Sequence, residues 1–124
     1  MFGTSKKQDE SVGEIETIIG RNTQIKGEIF GNGNIRLDGH INGGIAVEGE
    51  VVIGESGSVV GDVKAGGLIV AGQITGNVET GGVLSIRSTG QIIGDVKVKS
   101  LNIADGGIFR GRSEMETRGT NQEN

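Results

Sequence analysis

The sequence holds few side chains whose type and spacing could support catalysis. Its one histidine, His40, is the candidate general base of an acyltransferase-like site. Three carboxylates at Asp62, Glu79 and Asp95 suggest a ladder such as sugar-cleaving enzymes use, although solvated charges are the favoured interpretation because all three lie at outward positions. The acidic and amide residues of the 31–39 segment lack the spacing of a calcium loop. We therefore predict no enzyme active site, no metal and no cofactor.

Composition excludes several further classes. The chain has 12 Lys and Arg residues and 16 Asp and Glu residues, and its formal net charge of -4 does not favour nucleic-acid binding. The absence of cysteine excludes disulfides and thiolate metal sites. No stretch of about twenty apolar residues exists, and the first residues lack the apolar run of a secretory signal.

Glycine and aliphatic residues recur together in a pattern that predicts the fold. Six copies of G-x-Φ-x-G-x-Φ, where Φ is apolar, alternate with a shorter Φ-x-Φ element. The third residues of the copies, from Ile25 to Phe109, are separated by steps of 16, 18, 15, 18 and 17 residues. Alternation with period two predicts strands, and short strands recurring at one coil length predict a chain that winds in one sense. We expect an all-β, single-domain parallel β-solenoid of about six coils.

The central glycine of each copy lies between two inward aliphatic residues, which predicts a corner. A corner requires either a positive φ or a close backbone approach, and both favour a residue without Cβ. A phosphate-binding glycine loop is the weaker alternative because no G-x-G-x-x-G or Walker pattern is present. The predicted corner residues are Gly27, Gly43, Gly61, Gly76, Gly94 and Gly111.

The two ends of such a solenoid need a cover. Terminal coils expose strand edges and half of an apolar core, yet no long amphipathic helical pattern precedes Thr17 or follows Ser113. We therefore predict association between ends, with Phe109, Ile108, Ile19 and Ile25 as the candidate interface residues. For Phe109 a purely structural role, filling the core of the last coil, stays open. Phe30 follows the inward Ile29 and is predicted to point outward or into a loop.

The repeat resembles that of the bactofilin family of bacterial cytoskeletal proteins. The resemblance covers roughly Glu14 to Met115 and is clearest in the copies at 72–78 and 90–96. It implies a right-handed β-helix with a triangular cross-section. It also implies polymerisation into filaments without nucleotide, through contacts between like ends. Phe109 then corresponds to the aromatic or apolar residue of the family's C-terminal polymer interface.

The opening residues are similar to the membrane-targeting tail of many bactofilins, in which an aromatic residue precedes lysines. Phe2 could insert at the lipid interface while Lys6 and Lys7 each gain about 1 kcal/mol near anionic lipid. A flexible start with lysines for solubility is the alternative, and the nearby Asp9 and Glu10 favour it. We expect a flexible, membrane-binding tail over 1–14, a β-helix over 15–113 and a second flexible tail over 114–124.

Together these features predict a self-assembling scaffold in the cytoplasm, at the inner face of the cell membrane. Its expected partners are copies of itself, a lipid surface and client proteins, with no nucleotide and no nucleic acid. The alternative from another class is a hexapeptide-repeat acyltransferase, whose left-handed β-helix also has coils of about eighteen residues. That alternative requires His40 as a base, and the aliphatic spacing of four and two residues departs from a strict six.

Overall fold

A computed structural model of the chain describes residues 14–115, which form sixteen β-strands and no helix. The strands pair in parallel and wind as a solenoid of six coils, so the predicted all-β parallel solenoid is confirmed. The predicted tails, 1–14 and 114–124, lie outside the described residues except for Glu14, which precedes the first strand, and for Glu114 and Met115, which belong to the last strand, so the solenoid extends two residues beyond the predicted boundary at 113.

Each coil contributes to three faces, here called face 1, face 2 and face 3 in chain order. Face 1 is one six-stranded sheet: β1 (Ile15–Ile19), β3 (Asn34–Leu37), β5 (Glu50–Ile53), β8 (Gly67–Val70), β11 (Val83–Ile86) and β14 (Ser100–Ile103). Two long strands, β2 (Gln24–Gly31) and β4 (His40–Val47), run through both other faces and join them into a ten-stranded sheet.

The later coils use separate strands for those two faces. Face 2 continues with β6 (Ser58–Val60), β9 (Gln73–Thr75), β12 (Gln91–Ile93) and β15 (Ile108–Arg110). Face 3 continues with β7 (Val63–Ala65), β10 (Val78–Thr80), β13 (Val96–Val98) and β16 (Ser113–Met115).

The register between coils reproduces the steps expected from the repeat. On face 2 the anchor residues stack in one row along the axis: Ile25, Ile41, Val59, Ile74, Ile92 and Phe109. The unequal steps of 15 to 18 residues are absorbed between strands, where coils differ in length. Inside the strands the alternation stays intact apart from β1, whose register with β3 shifts between Ile15 and Thr17. A slip of one residue elsewhere would turn every apolar side chain of a strand outward.

The core is a column of aliphatic side chains from all three faces. Its inward positions are those expected from the repeat, together with one further position on face 3 in each of the second to fifth coils. Those additional inward residues are Val47, Ala65, Thr80 and Val98. Thr80 is a polar member of that row, and its hydroxyl donates a hydrogen bond to the carbonyl oxygen of Gly82 (3.1 Å).

The corner between face 2 and face 3 is formed by a row of glycines. All six predicted corner glycines have positive φ, between +131° and +151°. At Gly61 a Cβ would collide with the carbonyl oxygen of Gly43 in the preceding coil, and the same contact recurs at the corners that follow. The first corner, Gly27, has no such neighbour. Both the backbone conformation and the close approach of coils therefore demand glycine.

Alanine substitution at a corner is expected to destabilise the solenoid. Gly61→Ala should lower the free energy of unfolding by about 2–5 kcal/mol, since it combines a strained φ with a steric clash. Gly27→Ala should cost less, because it retains only the strain. Gly81→Ala is the matched control: its Cβ would meet open space, and its effect should stay within about 1 kcal/mol. Melting followed by circular dichroism at one protein concentration checks the order, and equal melting temperatures for all three variants would contradict it.

Candidate functional site at the two ends of the solenoid

Burial of the core falls sharply at both ends of the column. On face 2, Ile41, Val59, Ile74 and Ile92 are fully buried, whereas Ile25 in the first coil and Phe109 in the last are only partly covered. These residues occupy equivalent inward positions, so the difference arises only from the missing neighbouring coil. Each end thus presents half of an apolar core.

The N-terminal end presents inward residues and exposed outward ones. Ile25 and Ile29 pack against the core from one side only, while Ile19 is buried against Leu37 of the second coil. Outward from the same coil, Ile18 is 66% exposed and Phe30 is 73% exposed. The outward orientation of Phe30 agrees with the expectation from sequence.

The C-terminal end is apolar as well. Leu101 and Phe109 are partly buried inward residues, and Ile103 and Met115 are exposed members of the same coil. Ile108 points away from the axis and is exposed beside Gln91. Of the four candidate interface residues, Phe109 and Ile25 therefore lie on the end surfaces, Ile108 lies at the rim, and Ile19 lies mainly inside. Phe2, Lys6 and Lys7 lie outside the described residues.

The terminal coils also expose backbone N–H and carbonyl groups along the edges of their strands. In the middle of the solenoid each coil bonds to the next, as where the Gly76 and Val78 N–H groups donate to the carbonyl oxygens of Ile93 and Asp95 (both 2.9 Å). Within residues 14–115, β1 and β2 have a strand on one side only, as do β14, β15 and β16. Such strand edges are templates for pairing with another chain.

A polar ladder beside the glycine corner reinforces the stacking. The Asn77 N–H donates to Oδ1 of Asp62 (3.1 Å), the Asp95 N–H to Oδ1 of Asn77 (3.3 Å), and the Arg112 N–H to Oδ1 of Asp95 (3.2 Å). Each side chain thus caps the backbone of the coil that follows. Sequence reasoning missed this ladder, although its signal is visible as an Asp or Asn directly after the corner glycine.

The three carboxylates considered for catalysis do not form one row. Asp62 and Asp95 belong to the capping ladder, whereas Glu79 lies in the adjacent row between Lys64 and Lys97. Their separation follows from strand alternation and register, which place the residue after each corner glycine in one row and the residue two positions later in another. Asp62 and Asp95 accept hydrogen bonds from backbone N–H groups, and Glu79 lies between two lysines of neighbouring strands. We therefore assign these carboxylates structural roles.

His40 lies on the outer surface of face 2, where its Nδ1 is 2.7 Å from the hydroxyl of Ser58. The histidine side chain is exposed. Over residues 14–115, no group of three His, Asp or Glu side chains converges as a metal site would require. In the same part of the chain no helix is long and apolar enough to cross a membrane.

These features define the class as a parallel β-solenoid whose two ends are apolar and carry unpaired strand edges. The sequence model of the bactofilin family, described as polymer-forming cytoskeletal, matches residues 17–114. The chain is also 52% identical over 101 residues to the bactofilin BacN of Myxococcus xanthus. The aligned region covers 82% of this chain and 89% of that protein. The chain therefore belongs to the bactofilin family of polymer-forming cytoskeletal proteins.

Solved structures agree with this assignment. The chain resembles Thermus thermophilus bactofilin in a reconstruction described as double helical filaments, with a TM-score of 0.71 and 30% identity over 82% of this chain and 100% of that one. It also resembles a crystal structure of a phenylalanine-to-arginine mutant of Thermus thermophilus bactofilin. There the TM-score is 0.67 and the identity 27%, over 70% of this chain and 97% of the other. The comparisons do not favour the acyltransferase alternative.

Proposed function

We propose that this bactofilin polymerises end to end, without nucleotide, through contacts between like ends, and that the resulting filament is a scaffold rather than an enzyme. The observation that supports this most directly is the half-covered core at both ends of the column. A second copy stacked on an end covers the apolar side chains and pairs the free strand edges together. No nucleotide is needed because burial and backbone pairing alone drive the contact.

At the C-terminal end, Phe109 is the central residue of the proposed contact. It continues the inward row above Ile92, which is fully buried by its own neighbours. A like-end contact is isologous, so the Phe109 side chains of two copies approach the same junction. Aromatic anchors at the centre of an interface commonly dominate its energy. Ile108, at the rim, excludes water from that centre in this arrangement.

Phe109→Arg is expected to abolish filaments while leaving the fold intact. An arginine at this position would place two unpaired positive charges in an apolar junction, which costs several kcal/mol. Negative-stain micrographs of wild-type protein should show filaments with no nucleotide or metal added, and the variant should elute as small oligomers with an unchanged β-type circular dichroism spectrum. Val83→Arg, at an outward and exposed position of the fifth coil, is the control and should retain filaments. If the Phe109→Arg variant still forms filaments, Phe109 is not part of the interface.

The proposed scaffold acts in the cytoplasm at the inner face of the cell membrane, where it holds client proteins. We place the membrane contact in the opening residues, with Phe2 inserted at the lipid interface and Lys6 and Lys7 near anionic headgroups. Two lysines at about 1 kcal/mol each give a monomer marginal affinity. A filament presents one such tail per subunit, so the summed contact is firm through avidity.

Flotation with vesicles tests the membrane contact, since filaments sediment on their own. Full-length filaments should float with vesicles that contain an anionic lipid, and a chain beginning at Gly13 should stay at the bottom. The double variant Lys6→Glu and Lys7→Glu should lose flotation while forming the same filaments. Equal flotation of the full-length and shortened chains would contradict the membrane role without affecting the filament.

Filaments of this chain are further proposed to associate in pairs. The support is the Thermus relative, 30% identical to this chain, that is described as double helical filaments. Pairing leaves the ends free for polymerisation, because it uses the sides of the column.

A further inference from the structure

The outer surfaces of the three faces differ in charge. In the second to fifth coils, the four strand segments of face 2 contain no Asp, Glu, Lys or Arg: 40–42, 58–60, 73–75 and 91–93. The charged residues of face 2 are Lys26 in the first coil and Arg110 in the last. An uncharged strip therefore runs along the middle of the column.

This strip consists of two outward rows. One row stacks Asn42, Val60, Thr75 and Ile93 in register. Its two aliphatic members are well exposed, Val60 by 53% and Ile93 by 40%. The other row holds His40, Ser58, Gln73 and Gln91. β-branched and short polar side chains at regular spacing form a surface suited to packing against another sheet.

The outer surfaces of the other two faces are charged. The outer row of face 3 alternates in sign along Lys64, Glu79, Lys97 and Glu114, so each charge has opposite neighbours within its own chain. The outward strand positions of face 1 hold Arg36 in the second coil and Glu50 in the third, and Arg36 Nε forms an ion pair with Oδ2 of Asp38 directly after β3 (3.0 Å). Charged residues are depleted at the centres of protein interfaces, which favours face 2 as the lateral contact.

The spacing of the rows identifies the partner as a second copy of this chain. Neighbouring coils are about 4.8 Å apart, so the outward residues repeat at that interval along the filament. Another filament of the same chain presents the same interval, and the two surfaces can remain in contact over their whole length. A globular partner has no such repeat. Each contact is small, but the total grows with the number of subunits.

From these observations we infer that face 2 is the side on which two filaments pack, with Val60, Thr75 and Ile93 at the centre of the contact. The inference rests on the proposed end-to-end assembly and names the surface that joins the resulting filaments. Because the strip is uncharged, pairing depends on burial of apolar area and is insensitive to salt. Pairing through the alternating charges of face 3 would instead weaken as salt is added.

Lysine substitutions on the strip test this surface. Val60→Lys, Thr75→Lys and Ile93→Lys each put a row of like charges along both filaments, where packing would bury them unpaired. Ser85→Lys, at an outward position of face 1, is the matched control for added charge. Negative-stain micrographs taken at one protein concentration give the ratio of paired to single filaments. We expect that ratio to fall about tenfold or more in the three variants, and to stay at the wild-type value in the control.

The outcomes separate this surface from the assembly itself. Single filaments in the three variants, with wild-type pairs that persist at about 0.5 M NaCl, support face 2. Pairs that remain in all three variants, or wild-type filaments that never pair, overturn the inference and leave end-to-end assembly standing. Absence of any wild-type filament overturns the proposed function and the inference together. Circular dichroism spectra of the variants verify that the solenoid is folded.

Discussion

The close approach of consecutive coils at the glycine corner is the contact on which the rest of this molecule depends. From Gly43 onward, the carbonyl oxygen of the preceding corner glycine occupies the space where a Cβ would be. This approach, with positive φ at each corner, lets face 2 turn into face 3 at the same point in every coil. Identical turns keep all rows in register, so the aliphatic side chains stack into one column and the Asp and Asn side chains reach the next coil.

Nothing in the geometry of stacked coils prevents a further coil from being added at either end of the column. Inner coils are covered by two neighbours, but the first and last coils have one, and Ile25, Ile29, Leu101 and Phe109 remain partly uncovered as a result. The same chemistry that joins coils within the chain is available for joining chains, as the proposed end-to-end assembly requires. We infer that the sides of the column contribute separately, since the uncharged outer surface of face 2 is available for contact between filaments.

Much of the fold can be predicted from the sequence, because in a solenoid the spacing of the repeat determines which residues stack on one another. The steps from Ile25 to Phe109 predict which residues stack, and period-two alternation predicts which ones point inward. The burial of Thr80 is harder to predict from the sequence. A threonine is usually taken as a surface residue, and only its register with Ala65 shows that it lies in an inward row. The capping role of Asp62 and Asp95 likewise depends on contacts between coils. Interface roles at the ends and the handedness of the winding remain predictions, because both depend on more than local periodicity.

The central claim is that the ends, rather than the sides, join subunits into a filament. Hydrogen exchange measured by mass spectrometry compares wild-type filaments with the small oligomers of Phe109→Arg at the level of peptides. Because the variant loses only the contact between C-terminal ends, the account predicts that assembly slows exchange most in β14 to β16, whose edges gain partners, with smaller changes in β8 to β10 at mid-column. Unchanged exchange in the last coil, together with protection confined to mid-column strands, would contradict it.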